Sequence, residues 1–260
     1  RRRGGPCWGR SWGTTCDVAG HDGRAHHRLY PLADRAPKTA ALDLAEDSSA
    51  RAAFAHISLS CLQHWMANRD GAVQSPDDTE YVHQLRVAIR RQRAAIQIFR
   101  AVLPDEFLSA VLPPLRELMA SLGRSRDLDV LMEEIVTPVV LALPDEPRLQ
   151  ALNKRLSERL LETRREACAQ LDRPALGGDL LRIMRRLDQL QEEVAMPAED
   201  NLSLREFVDK RLRKRLRAAQ HCANVACNDD PVSLHELRIA IKRLRYSLEF
   251  FSSLLPKGTA

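Results

Sequence analysis

No apolar run in the chain approaches the roughly 20 residues that a membrane span requires, so it carries no candidate transmembrane helix. The arginine-rich start has no apolar stretch behind it, which excludes a secretory signal. None of the six cysteines forms a C-x-x-C pair. Cys7, Cys16, Cys61, Cys168, Cys222 and Cys227 therefore read as reduced, mostly buried thiols of a cytoplasmic protein. G-x-S-x-G, H-E-x-x-H and P-loop patterns are missing as well. Nothing assembles a nucleophile, a general base or a metal cluster, so no catalytic residue, metal or cofactor is assigned. Sustained strand alternation is absent, which excludes a sheet protein. Lysine is scarce, with six against 34 arginines. Coding bias explains such a skew; so does a phosphate ligand, because guanidinium meets phosphate oxygens as a planar fork.

What is present is a chain of 260 residues with a net charge of +5. The surplus is uneven. Residues 1–37 hold seven Arg and three Asp, which leaves residues 38–260 close to neutral. Positive charge in the folded part is thus local. Residues 1–37, rich in Gly, Arg, Trp and His without a period, read as disordered or as the remnant of an upstream segment. Their Cys7, Cys16, His21, His26 and His27 fit no common metal spacing. Without an initiator Met, the sequence reads as a fragment of a longer chain.

From Ala40 onward the pattern predicts helix after helix. Ser48/Ser49 caps one that runs to about Asn68, with Gly71 beyond its end. Asp77/Asp78 opens another over about 79–103, stopped by Pro104. Further helices are expected over about 105–122, 127–142, 147–171 and 179–194, punctuated by Gly123, Pro144, Pro147, Pro174 and Gly177-Gly178. Ser203-Leu-Arg-Glu206 is a capping box opening a helix to about Cys222. Asp230-Pro231 opens the last, to about Leu255. The fold class is all-α, with antiparallel bundle packing in two halves, the second incomplete. The first repeat spans about 48–171 and the second about 179–260.

The repeat itself is explicit. His83-Gln-Leu-Arg-Val-Ala-Ile-Arg-Arg-Gln-Arg93 recurs as His235-Glu-Leu-Arg-Ile-Ala-Ile-Lys-Arg-Leu-Arg245, 152 residues later. The offset holds without a gap from Val82/Leu234 to Pro104/Pro256. On a helical wheel Leu234, Leu237, Ile241, Leu244, Leu248 and Phe251 form one stripe, which reads as core. Val82, Leu85, Ile89, Gln92, Ile96 and Phe99 occupy the same places in the first copy.

His83, Arg86, Arg90 and Arg93 lie within a sector of about 80° bordering that stripe. His235, Arg238, Lys242 and Arg245 repeat the row. Arg91 and Arg243 lie about 80° to the other side of each His. A solvated flank, with Arg stems covering an apolar edge, is the ordinary reading of such a row. Against it, residues 83–99 hold four Arg and no acid, so no helical neighbour neutralises them. The same arrangement also recurs in the second copy. A polyanion would reverse the repulsion. The segment from Arg205 to Arg217, with Arg213 and Arg217, adds a third basic stretch.

Asp127 and Asp129 could suggest Mg²⁺, but residues two apart on a helix diverge by about 200°. Asp127, near a helix start, more simply complements its dipole or pairs an Arg. A metal held by His83 and His235 would sit among cations. His56 and His64 read as partly exposed helix residues.

The motif around His83, then Leu122-Gly-Arg-Ser-Arg-Asp-Leu-Asp-Val130, then the motif from His235 through Tyr246 to Glu-Phe-Phe251, resembles the CHAD family, the conserved histidine α-helical domain. The likeness spans about 40–256. It implies two helical-bundle halves related by a pseudo-twofold axis, with a basic groove between them. It implies inorganic polyphosphate as ligand, held by His83, Arg86, Arg90, Arg93, His235, Arg238, Lys242 and Arg245, with Arg91, Arg243, Arg213 and Arg217 as secondary candidates. It implies a place at polyphosphate granules. Nucleic acid is the less favoured polyanion, since the basic helices offer few aromatics for stacking. The resemblance leaves room for two alternatives: a metal-chelating domain, and a substrate-holding accessory of a CYTH-type triphosphatase. The triphosphatase signature E-x-E-x-K is absent from this sequence.

Overall fold

The structure, a computed structural model, describes residues 35–192 and 203–256. The expectations for residues 1–34 lie outside it. Every regular element among the described residues is helical. Helix α1 spans Ala50–Gln74, and the hydroxyl of its N-cap Ser49 accepts from the Ala52 amide at 3.1 Å. Helix α2 spans Thr79–Phe99, with the Asp78 carboxylate capping the Glu80 amide. Helix α3 (Asp105–Leu131) passes through a π turn, Met132–Val136, into α4 (Thr137–Ala142) as one continuous rod. Helices α5 (Pro147–Asp172), α6 (Pro174–Glu192), α7 (Leu204–Val225) and α8 (Pro231–Phe250) follow. The Ser203/Glu206 capping box forms as the sequence predicts.

The glycines were the poorest guides. Gly71 lies inside α1, Gly123 inside α3, and Gly177-Gly178 inside α6. A helical Gly costs only about 1 kcal/mol, which tertiary packing outweighs. A break does occur at Arg173-Pro174, where Arg173 is extended, as the residue before a Pro prefers. So α6 begins at Pro174, not at 179, and it packs on α1 and α3, with the helices of the first repeat.

Gly71 has a specific task. A Cβ there would collide with the ring of buried Tyr81. Gly71→Ala should therefore lower stability by about 1–3 kcal/mol, the usual cost of overpacking, read as a lower urea midpoint. An unchanged midpoint would show that the α1–α2 contact gives way freely.

The core centres on an aromatic cluster. The Phe99 ring lies 5.7 Å from Phe54, 5.0 Å from Phe207 and 5.8 Å from Phe251. Phe54 meets Phe107 edge-on at 5.5 Å. These rings join α1, α2, α3, α7 and the end of α8.

The two copies of the apolar stripe fare differently. In α2 it is core: Val82 is 6% exposed, Ile89 2% and Ile96 2%. In α8 it is core only in part: Leu234 is 38% exposed, Ile241 51% and Leu248 36%, whereas Leu237 and Leu244 are half-buried and Phe251 is fully buried. Periodicity reports that a face is apolar, not that anything covers it. Helix α2 is packed between α1 and α3, whereas α8 packs on α7 and α2.

Two side-chain expectations change too. His64 is buried. Its ring nitrogens meet the Thr39 hydroxyl at 3.2 Å, the Pro37 carbonyl at 3.0 Å and the Gln84 amide oxygen at 3.1 Å. Burial pushes its pKa down, with the Pro37 and Gln84 contacts opposing. His56 is exposed, as expected. Of the described cysteines only Cys61 is buried, while Cys227 is exposed. Burial raises the Cys61 thiol to about 11, which makes it an inert packing group.

Candidate functional site

The site is built by α2 and α8. They share an aromatic contact between Phe99 and Phe251, which are repeat-equivalent residues. Nine residues earlier on each helix, about two and a half turns away, the charge of Arg90 acts on Lys242, again an equivalent pair. Equivalent positions facing each other at two levels is what an approximate twofold axis running between two parallel helices produces.

Arg90 and Lys242 are both exposed, and neither has an ion-pair partner among the described residues. The Lys242 ammonium has its pKa pushed down, first by partial desolvation, then by the charges of Arg238, Arg90 and Arg245. Four cations from two helices thus bear on one place, and no carboxylate offsets them there.

The remaining predicted residues divide. Arg86 is anchored to α3: its guanidinium donates to the Leu122 carbonyl at 3.1 Å and lies 3.5 Å from Asp127. Gly123 permits this approach, since a Cβ there would stand 3.2 Å from Arg86 Nη1. His83 has a lowered pKa. Burial is the main cause; Glu80 opposes it, and Arg126, Arg90 and Arg86 reinforce it. In the free protein His83 is therefore held toward its neutral form by burial and by the cations around it. Arg93 is half-buried on the same flank of α2. On α8, His235 and Arg238 are exposed, and Arg245 lies over the Tyr246 ring at 5.4 Å. The groups acting on His83 come from α2 and α3.

The secondary candidates lie elsewhere. Arg91 is 2% exposed, ion-paired to Glu249, with its guanidinium 5.1 Å from the Phe250 ring centre. It cannot present its charge to a ligand in solvent. Arg243 faces α7, where burial and then Arg243 and Arg211 lower the pKa of Arg215. Arg213 pairs with Asp209 at 3.1 Å one turn away. Arg213 and Arg217 line an open concavity of α7 with Lys210, Arg211 and Lys214.

Asp127 and Asp129 diverge as the helical geometry requires. Asp127 is exposed beside Arg86, whereas buried Asp129 accepts two bonds from Arg164, at 2.8 and 3.2 Å. Asp127 sits in the body of α3 rather than at a helix start, so it pairs an arginine and has no dipole to complement. No group of three His, Cys, Asp or Glu among the described residues could hold a metal ion.

One residue of the site escaped the sequence reading. Arg126 of α3 is 22% exposed, lies 4.0 Å from Glu133, and its charge reaches His83 and Arg86. Its signal was the Arg-Ser-Arg-Asp run, but only the packing of α3 on α2 shows which way Arg126 faces.

The chain matches the CHAD domain over residues 56–260. It belongs to the CHAD family. The crystal structure of the CHAD domain from the plant Ricinus communis is similar, with a TM-score of 0.70 and 29% sequence identity. That likeness covers 85% of this chain and 72% of the plant one. No curated protein matches. No described helix of this CHAD domain is long and apolar enough to cross a membrane.

Proposed function

We propose that this CHAD domain binds linear inorganic polyphosphate in the cleft between α2 and α8, as a holding module that performs no chemistry of its own. One observation carries the reading. The charge of Arg90 on α2 reaches its repeat equivalent Lys242 on α8, where Arg238 and Arg245 act as well and no acid is among the groups that shift it. Mutual repulsion of this kind is relieved only by an anion, and a chain of phosphates supplies one charge after another. Arg90, Arg238 and Arg245 would make charge-assisted bonds to phosphoryl oxygens, and Lys242 would act as a point charge. His83, Arg86 and Arg126 extend the cationic surface on the first-repeat side. Arg91 and Arg243 drop out as direct ligands, and Arg213 and Arg217 would form at most an outlying contact.

His83 adds a pH signature. Burial and neighbouring cations depress its pKa in the free protein, and a bound polyanion would raise it. Binding then takes up a proton, so affinity rises as pH falls through the bound-state pKa. The gain levels off below the free-state value, which lies under 6.5.

The test is a titration with polyphosphate across ionic strength and pH. Neutralising about three or four phosphates should weaken binding on the order of 10²-fold between 50 and 200 mM salt, by analogy with other polyanions. Affinity should also be higher at pH 5.5 than at pH 8. Equal competition by duplex DNA at fixed salt would identify a general polyanion surface instead. Absence of binding at physiological salt would leave a purely structural bundle.

A further inference from the structure

Arg91 and Glu249 form a contact that polyphosphate binding does not use. Arg91 follows Arg90 on α2, and Glu249 lies two turns beyond Lys242 on α8. The guanidinium is buried, and it meets the Glu249 carboxylate, the Phe250 ring at 5.1 Å and the Cys61 thiol. Two of these belong to α8 and one to α1. A buried guanidinium is tolerated only where its charge is met; here Glu249 meets it at Nη1, while Nε has no hydrogen-bond partner. Its position is specific. It sits between the two levels at which α2 and α8 face each other, the Phe99/Phe251 contact and the Arg90/Lys242 approach.

The repeat shows that this contact has no duplicate. Position 249 corresponds to Gln97 in the first copy, and position 91 to Arg243 in the second. The symmetric pair would be Arg243 with Gln97, which lacks the charge. Gln97 is exposed, and Arg243 turns to the Arg215 side. One ion pair therefore holds a joint where the sequence repeat offers two places for it.

We infer that the Arg91–Glu249 pair is the positioning contact that fixes the separation of α2 and α8, and with it the width of the cationic cleft. Neither residue touches the ligand. Arg91 sets where Arg90 points, and Glu249 draws α8 toward α2 against the repulsion of Arg90 with Lys242. Without the pair, that repulsion is opposed only by apolar contacts, which have no preferred register. The consequence for the ligand rests on the polyphosphate reading; the consequence for helix separation does not.

Two nitroxide labels measure the separation directly, at Gln97→Cys on α2 and Glu236→Cys on α8. Cys7, Cys16, Cys168, Cys222 and Cys227 are replaced by Ser, and buried Cys61 is kept. The parent should give one narrow distance distribution by electron–electron double resonance. Glu249→Gln should broaden it and weaken polyphosphate binding about tenfold, with helicity unchanged. If Glu249→Gln does not fold, Arg91→Met/Glu249→Leu replaces it, because that pair strands no buried charge. A folded variant of either kind with the parent's narrow distribution overturns the inference. So does a broadened distribution with unchanged affinity in a parent that binds. A parent that binds no polyphosphate, combined with broadening in the variant, overturns the ligand reading and upholds the joint.

Discussion

Replacing Arg90 and Lys242 together by Glu is expected to abolish polyphosphate binding while leaving the circular dichroism spectrum and the urea midpoint close to the parent's. Both side chains are exposed and carry no ion pair among the described residues, so their reversal breaks no folded-state contact. If anything the fold gains, since two cations that repel across the cleft become two anions that can pair with Arg238, Arg245 and Arg93. Binding loses on both counts. Each charge-assisted hydrogen bond contributes about 1.5–3 kcal/mol, and each new carboxylate repels the incoming phosphates. Losing two such bonds alone amounts to about 3–6 kcal/mol, or roughly 10²–10⁴-fold in affinity. Single reversals should fall in between, and Arg213→Glu on α7 should do little. Parent-like affinity in the double variant would move the site away from the α2–α8 cleft altogether.

The second large effect concerns the joint that creates the cleft. Phe99→Ala should cost about 3–5 kcal/mol, placing it among the most damaging single substitutions in the chain. The ring is fully buried and touches Phe54, Phe207 and Phe251. Those partners come from α1, α7 and the end of α8, so the resulting cavity would open between elements that cannot collapse onto it together. Domains of this kind are typically stable by only about 5–15 kcal/mol, so the loss should appear as a large drop in the urea midpoint. Because Phe207 and Phe251 join α7 and the end of α8 to Phe99, the transition should also broaden as α7 and α8 loosen before the rest. A single sharp transition with a small shift would mean that the two repeats are joined elsewhere.

Helix identity was legible in the sequence wherever a local signal carried it. The Ser203/Glu206 capping box, the Asp78 and Asp230 caps and the Arg173-Pro174 break all act through neighbouring backbone, so they read correctly without tertiary context. Glycine misled because its helical cost is smaller than one good packing contact, as Gly71 against Tyr81 shows. The basic row was legible as a row, and its repetition pointed to α2 and α8. What periodicity could not show was which cations keep their charge available. Arg90 and Arg91 are adjacent in sequence, yet one is exposed in the cleft and the other is sealed against Glu249 and Phe250. The wheel placed them on different sides of the helix, and only α8 decided what each side met. Arg126 illustrates the reverse, since its charge reaches His83 and Arg86 only through the way α3 lies along α2.

By itself the sequence determined the all-helical class, the helix starts with polar caps, and the paired basic helices with no acid in the first. These follow from interactions within a few residues of backbone, or from a repeat visible by eye. The tertiary structure alone decided that Phe99 and Phe251, equivalent positions of the two copies, meet, that Arg86 is held by α3, and that Arg91 is buried against Glu249 while Arg90 stays exposed. It also decided that the apolar stripe is covered in α2 and only partly covered in α8. Each of these depends on what a neighbouring helix places opposite a side chain, and that is settled by packing between distant segments rather than by local pattern.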